Sequence, residues 1–195
     1  LDDLLSGRVS LSQIRQVELE DILGREPVQL DDAGLSRLIA ERTILVTGAG
    51  GSIGSELCRQ IIRCKPAKLV LFELSEYGLY AIDKELQEIS QQEGLQVEIV
   101  PLLGSVQRQH RLQAVMSTFQ IQTIYHAAAY KHVPIVESNQ YEGAINNFIG
   151  TYRALQAAIN TQVRTFVAIS TDKAVRPTNV MGATKRMAEL ACQAL

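Results

Sequence analysis

The sequence predicts an α/β protein built on a doubly wound, parallel sheet with helices on both faces. Three observations carry that prediction. Short apolar segments rich in β-formers alternate with helical patterns from Thr43 onward. A glycine-rich turn joins the first of these segments directly to a helix. Polar residues gather at predicted strand ends, the edge where a parallel sheet receives ligands.

The elements follow in order. Leu1–Arg42 differs from the rest: Leu4, Leu5, Leu11, Ile14, Leu19, Ile22 and Leu23 are spread among charged residues. One or two amphipathic helices, ended near Gly24 and Pro27, account for that spacing, so residues 1–42 are expected to be a helical linker or docking segment. Residues 43–195 form the predicted sheet domain. Its strands are Thr43–Val46, Lys68–Glu73, Gln96–Pro101, Thr123–Ala127 and Thr165–Ser170. Its helices are Glu56–Ile62, Glu76–Ser90, Gln107–Phe119, a long one inside Glu137–Asn160, and one from Val180 to the end, capped by Thr178 or Asn179.

Composition narrows the function. The 195 residues are 46% hydrophobic with a net charge of −2, enough for one sizeable core and without the basic footprint of a nucleic-acid binder. No stretch reaches the ~18 apolar residues of a membrane span. Cys58, Cys64 and Cys192 are odd in number and lack CxxC spacing, so reduced, packed thiols are expected. No histidine pair has metal-ligand spacing, and no metal is predicted. The chain starts at Leu1 and stops inside the helix after the fifth strand. A six-stranded sheet needs more chain, so a C-terminally truncated fold is expected, lacking much of the substrate pocket.

The glycine turn reads Thr47-Gly48-Ala49-Gly50-Gly51-Ser52-Ile53-Gly54. Gly48, Gly51 and Gly54 are spaced Gly-x-x-Gly-x-x-Gly rather than the commoner Gly-x-Gly-x-x-Gly, and between a strand and a helix they read as a dinucleotide fingerprint of the Rossmann type. Gly48 allows the tight turn, Gly51 lets backbone approach a pyrophosphate, and Gly54 lets helix pack on strand. With Ser52 and Ile53 they present a helix N-terminus, which favours an anion. Glu73 stands 19 positions past Gly54, near the ~20 expected of an acid that binds the adenosine ribose. A carboxylate there favours NAD, whereas Arg59 and Arg63 on the first helix keep NADP possible. Ser105 and Val106 are expected to line the adenine. Ala127, Ala128 and Ala129 are small enough for the cofactor to lie against backbone, although tight sheet packing also suits alanine. Lys131 is a candidate contact to a sugar or phosphate, and His132 reads equally as a catalyst or a bonded loop residue.

The densest chemistry is Ser170-Thr171-Asp172-Lys173, followed by Met181 and Lys185 one helical turn apart. Consecutive polar residues ending an apolar strand require water or a ligand. An acid beside a lysine offers two proton-transfer groups that tune each other.

These segments resemble the extended short-chain dehydrogenase/reductase family. The resemblance rests on Gly48, Gly51 and Gly54, on His126–Ala129, on Asn147–Thr151, and on Lys185 as the lysine of the family's Tyr-x-x-x-Lys motif. HAAAYKHVP and STDKAVRPTNVMGATKR are similar to the UDP-N-acetylglucosamine 4,6-dehydratases of the large, membrane-anchored, polysaccharide-biosynthesis type. The resemblance implies NAD, with NADP possible, UDP-N-acetylglucosamine as substrate, and an internal hydride cycle that yields a 4-keto-6-deoxy sugar. It implies that Lys173 removes the C5 proton and Asp172 protonates the leaving C6 hydroxyl, roles that can be exchanged. Thr171 would bond the C4 oxygen and Lys185 the nicotinamide ribose. Met181 departs from the family's tyrosine, so Asp172 or Thr171, through water, becomes the candidate acceptor of the C4 proton. A homo-oligomer is expected. The parent is expected at the cytoplasmic face of the inner membrane, with the present chain soluble and not inserted. Two other readings stand beside this one: a nucleotide-sugar 4-epimerase or reductase, and a non-catalytic dinucleotide-binding module.

Overall fold

The structure, a computed structural model, describes residues 32–195; the amphipathic helices expected over Leu4–Leu23 lie outside them. Five strands form one parallel sheet: β1 (Thr43–Thr47), β2 (Lys68–Glu73), β3 (Glu98–Leu103), β4 (Thr123–His126) and β5 (Thr165–Ala168). Their order is β3-β2-β1-β4-β5. The register sets Thr47 beside Phe72 on one side and His126 on the other.

Both sheet faces are buried, which is why the central strands are apolar throughout rather than alternating. Ile44, Val46, Leu69 and Leu71 share one core with Ile61 and Ile62 of α2 (Ser52–Arg63) and Leu79, Ile82 and Leu86 of α3 (Glu76–Glu93). Leu45, Val70, Phe72 and Ile124 share the other with α4 (Gln109–Phe119) and α7 (Gly150–Asn160). Ile39 of α1 (Asp32–Ile39) is buried in the first core. The compact unit holding the sheet runs from Ala33 to Leu195.

Local signals explain the helix ends. Ser75 Oγ accepts the Gly78 N–H at the start of α3, and Gly94 ends that helix at φ 63°. At α8 (Val180–Ala194), Asn179 rather than Thr178 is the cap, its Oδ1 accepting the Gly182 N–H at 2.7 Å. β3 runs two residues later than expected, with Pro101 in its middle opposite Leu71. The shift is tolerated because β3 is an edge strand. The single long helix expected inside Glu137–Asn160 is instead α5 (Val133–Ser138), α6 (Gln140–Ala144), a π-helical turn over Ile145–Ile149, and α7. Asn139 causes the first break: its side chain donates to the Ile135 carbonyl, and its backbone sits at φ −137°. Among the described residues no helix is long and apolar enough to cross a membrane.

The chain leaves β1 toward β2 and β3, then returns to lay β4 and β5 on the opposite side of β1. The loops after β1 and β4 therefore diverge, opening a crevice at the carboxyl edge. Two glycines shape it. Gly48 adopts φ 69°, and a Cβ there would meet the Ala128 backbone at 2.7 Å. A Cβ on Gly54 would lie 1.9 Å from the Gly48 carbonyl oxygen. At Gly51 the nearest atom is 3.3 Å away. Gly54→Ala should therefore lower stability by about 3 kcal/mol, the upper range for overpacking, while Gly51→Ala should change it by about 0.5 kcal/mol or less. Urea unfolding of both variants measures the contrast.

Candidate active site

A cavity of about 640 Å³ occupies the crevice. One wall is the start of α2, contributed by Gly51, Ser52, Ile53 and Gly54. No side chain caps α2 at Gly51, so the unpaired N–H groups of its first turn are left for a ligand. The facing wall is the segment after β4, with Ala127, Ala129, Lys131 and His132. Lys131 Nζ reaches across to Ser52 Oγ at 3.5 Å. Ser170, Thr171, Lys173, Met181 and Lys185 line the cavity from the end of β5 and from α8. The residues fit a dinucleotide: an uncapped helix start, a glycine at that start that exposes its backbone to the cavity, and alanines where the backbone must be approached.

The strand end is held in place by α8. Thr171 begins a short 3₁₀ turn, Asp172–Ala174. A Cβ on Gly182 would come within 2.2 Å of the Lys173 carbonyl, so the turn abuts the helix start. Glu137 Oε1 accepts the Val180 N–H at 2.6 Å, tying α8 to α5. Lys185 is 8% exposed, and its Nζ donates to the Ile169 carbonyl at 2.6 Å. Burial pushes its ammonium below the usual lysine range, opposed by Cys192 and Glu189. Thr171 Oγ1 donates to Asp172 Oδ1 at 2.9 Å, and Lys173 Nζ to the same oxygen at 3.4 Å. The Thr171 bond, then the lysine, hold Asp172 below the usual carboxylate range.

Not every predicted residue lines this cavity. Gly48 and Ala128 lie beneath it, packed on each other. Asp172 projects outward, its side chain 87% exposed. Glu73 is not a free strand-end carboxylate. Its Oε2 accepts the Gly50 N–H, and its Oε1 accepts those of Leu74 and Ser75, all at 2.8–2.9 Å. It clasps the glycine turn to the start of α3, with about one lone-pair direction remaining. Val106 is buried in the core with its side chain toward Gly150, and Ser105 Oγ accepts the Gln107 N–H. The side chains of both are turned to folding instead of to the cavity.

A polar network that no sequence motif announces lies under the site. Asn147, fully buried in the π turn, accepts the Tyr130 N–H and donates to the Tyr130 carbonyl and to Thr184 of α8. A polar pair, Asn146-Asn147, inside an apolar helical run was the available signal. His126 is buried between Thr47 Oγ1, 2.8 Å from Nδ1, and Thr151 Oγ1, 3.0 Å from Nε2. Thr151 spends its own proton on the Asn147 carbonyl, which assigns the ring's proton to Nε2. Burial, with a smaller contribution from Lys185, pushes the imidazole down to about 3. His126 is thus neutral scaffolding. Among the described residues no cluster of three or more His, Cys, Asp or Glu side chains can hold a metal, and the three cysteines are free.

This parallel sheet, with its glycine turn at the β1/β4 switch point and a lysine-bearing α8 beside the fifth strand, defines an extended short-chain dehydrogenase/reductase domain. The family described as polysaccharide biosynthesis protein matches residues 44–195, and the chain belongs to it. Capsular polysaccharide biosynthesis protein CapD of Staphylococcus aureus is 48% identical over 195 residues, all of this chain and 32% of that protein. UDP-N-acetylglucosamine 4,6-dehydratase (inverting) of Campylobacter jejuni is 32% identical over 146 residues, 74% of this chain and 41% of that protein. The X-ray structure of Pen from Bacillus thuringiensis superposes with a TM-score of 0.72 at 29% identity, covering 80% of this chain and 47% of that one. The chain thus spans 32% to 47% of the length of these relatives.

His126 generates a stability prediction. Its folded pKa of about 3 lies below the ordinary 6.5, so unfolding takes up a proton. The stabilisation is complete above pH 6.5 and is lost as pH falls toward 3, by up to ~1.4 kcal/mol per pH unit. His126→Asn should flatten that slope in urea unfolding followed across this pH range.

Proposed function

We propose that the chain is the dinucleotide-binding and proton-transferring part of a nucleotide-sugar 4,6-dehydratase that acts on UDP-N-acetylglucosamine. One observation carries the reading: Thr171, Lys173 and Lys185 face the uncapped start of α2 across a single cavity. The names of the CapD and dehydratase relatives support the substrate class.

In this reading the α2 N–H groups and Gly51 hold the pyrophosphate, Glu73 meets the adenosine ribose, and Lys185 holds the nicotinamide ribose. The bound nicotinamide supplies a reversible hydride acceptor. NAD is favoured over NADP. Arg59 is paired with Glu85 and Glu56, and Arg63 with Glu93, so neither guanidinium is free to bind a 2′-phosphate.

Lys173 and Asp172 act on the sugar. As they stand, they form an ion pair. Transfer of one proton from Lys173 Nζ to Asp172 Oδ1 turns it into an amine and a carboxylic acid. A sugar covering the pair removes water and favours those neutral forms. The Lys173 amine then takes the C5 proton, and Asp172 gives its proton to the departing C6 hydroxyl. Thr171 bonds the C4 oxygen, and Lys131 steadies the nucleotide sugar at the cavity mouth.

The longer protein, incubated with UDP-N-acetylglucosamine and no added reductant, should give a product lighter by one water in mass spectrometry. A sugar of unchanged mass would refute the reading. Lys173→Ala should abolish uptake of solvent deuterium at C5; uptake at the wild-type level would remove Lys173 from the base role.

A further inference from the structure

Met181 has no exchangeable proton, so a sugar hydroxyl oxidised at C4 needs another acceptor; the inference rests on the dehydratase reading above. Two hydroxyl–carboxylate pairs flank the end of β5. Thr171 donates to Asp172, whose proton is committed to the C6 hydroxyl. The second pair has no such task. Ser170 lines the cavity, and its hydroxyl donates to Glu189 Oε1 at 2.5 Å, the short distance of a charge-assisted bond. Because its one proton points to Glu189, the Ser170 oxygen offers lone pairs elsewhere. Glu189 lies behind Ser170 on α8, one turn beyond Lys185. Arg186 Nη1 fixes its other oxygen at 2.8 Å. The Ser170 bond first, and Arg186 second, keep it ionised well below the usual carboxylate range. Its side chain is 27% exposed, which gives a proton a way out to water.

We propose that Ser170 and Glu189 are the proton relay for the C4 hydroxyl. The C4 O–H bond breaks as its proton passes to Ser170 Oγ, and the Ser170 O–H bond breaks as that proton passes to Glu189 Oε1. The C4–H bonding pair leaves as hydride to the oxidised nicotinamide, and the C4–O bond becomes a carbonyl. Glu189 releases the proton to solvent. The count closes over the reaction, since the C4 hydroxyl loses one proton and the departing C6 hydroxyl takes one.

The test uses the full-length protein in single turnover with UDP-N-acetylglucosamine. C4 oxidation is followed by the near-ultraviolet absorbance of reduced nicotinamide, and product mass is measured in parallel. Glu189→Gln keeps an acceptor for the Ser170 hydroxyl but cannot take its proton. It should slow C4 oxidation by ~10²-fold or more, the usual loss for a missing general base, with dinucleotide affinity and melting temperature unchanged. Ser170→Ala should lose as much, the double variant no more than either, and Ser170→Thr should recover most of the rate. Wild-type oxidation in Glu189→Gln would overturn the relay and leave the dehydratase reading intact. A slow variant with equally weakened dinucleotide binding or melting would reduce Glu189 to a packing role and overturn the relay too. A wild-type protein that removes no water from the sugar would overturn both.

Discussion

The close approach of three backbones holds this fold's working edge together. Gly48 rests on Ala128, and Gly54 rests on Gly48, at separations that leave no room for a side chain. These contacts bring the exit of β1, the exit of β4 and the start of α2 to one point. Glu73 reinforces the same point by gathering three amides from the turn and the start of α3. An anion cradle made of backbone donors is only as good as their alignment, and here each participant is pinned by a neighbour.

A second, polar layer lies just below. His126, Thr47, Thr151 and Asn147 satisfy one another inside the sheet–helix interface. Such a network is favourable only when every member is paired, and the neutral imidazole meets that condition with one donor and one acceptor. It supports the cavity floor without taking part in proton transfer. The charged groups, Lys173, Lys185, Asp172 and Glu189, are kept to the strand end and to α8.

Much of the fold was legible in the sequence because two-sided burial writes itself as apolar strands between amphipathic helices. The glycine turn was legible because its steric demands fall at fixed spacing. The cavity lining was legible where polar residues and spacing coincide, as at Thr171, Lys173, Met181 and Lys185. It was less so where a side chain has two possible employers. Glu73 at the end of β2 and Ser105 just past β3 are polar residues that the protein's own amides engage, and Val106 is an apolar one that the core engages. Nothing local distinguishes those fates from ligand contact. The Ser170–Glu189 bond spans 19 positions and exists only because α8 passes beside the end of β5. The break at Asn139 turns on one side chain bonding its own preceding turn, which helical periodicity does not reveal.

Asn147 has a mechanical consequence. By gripping Tyr130 on one side and Thr184 on the other, it yokes the loop after β4 to α8, and Glu137 adds a second strut between α5 and the same helix. Those two walls must travel as one piece. At the cavity mouth, above the Gly48–Ala128 contact, the opposite wall meets them through a long lysine–serine bridge. That seam is the compliant one, so a bulky guest is expected to slip in by parting Lys131 from Ser52 and not by prying α8 away.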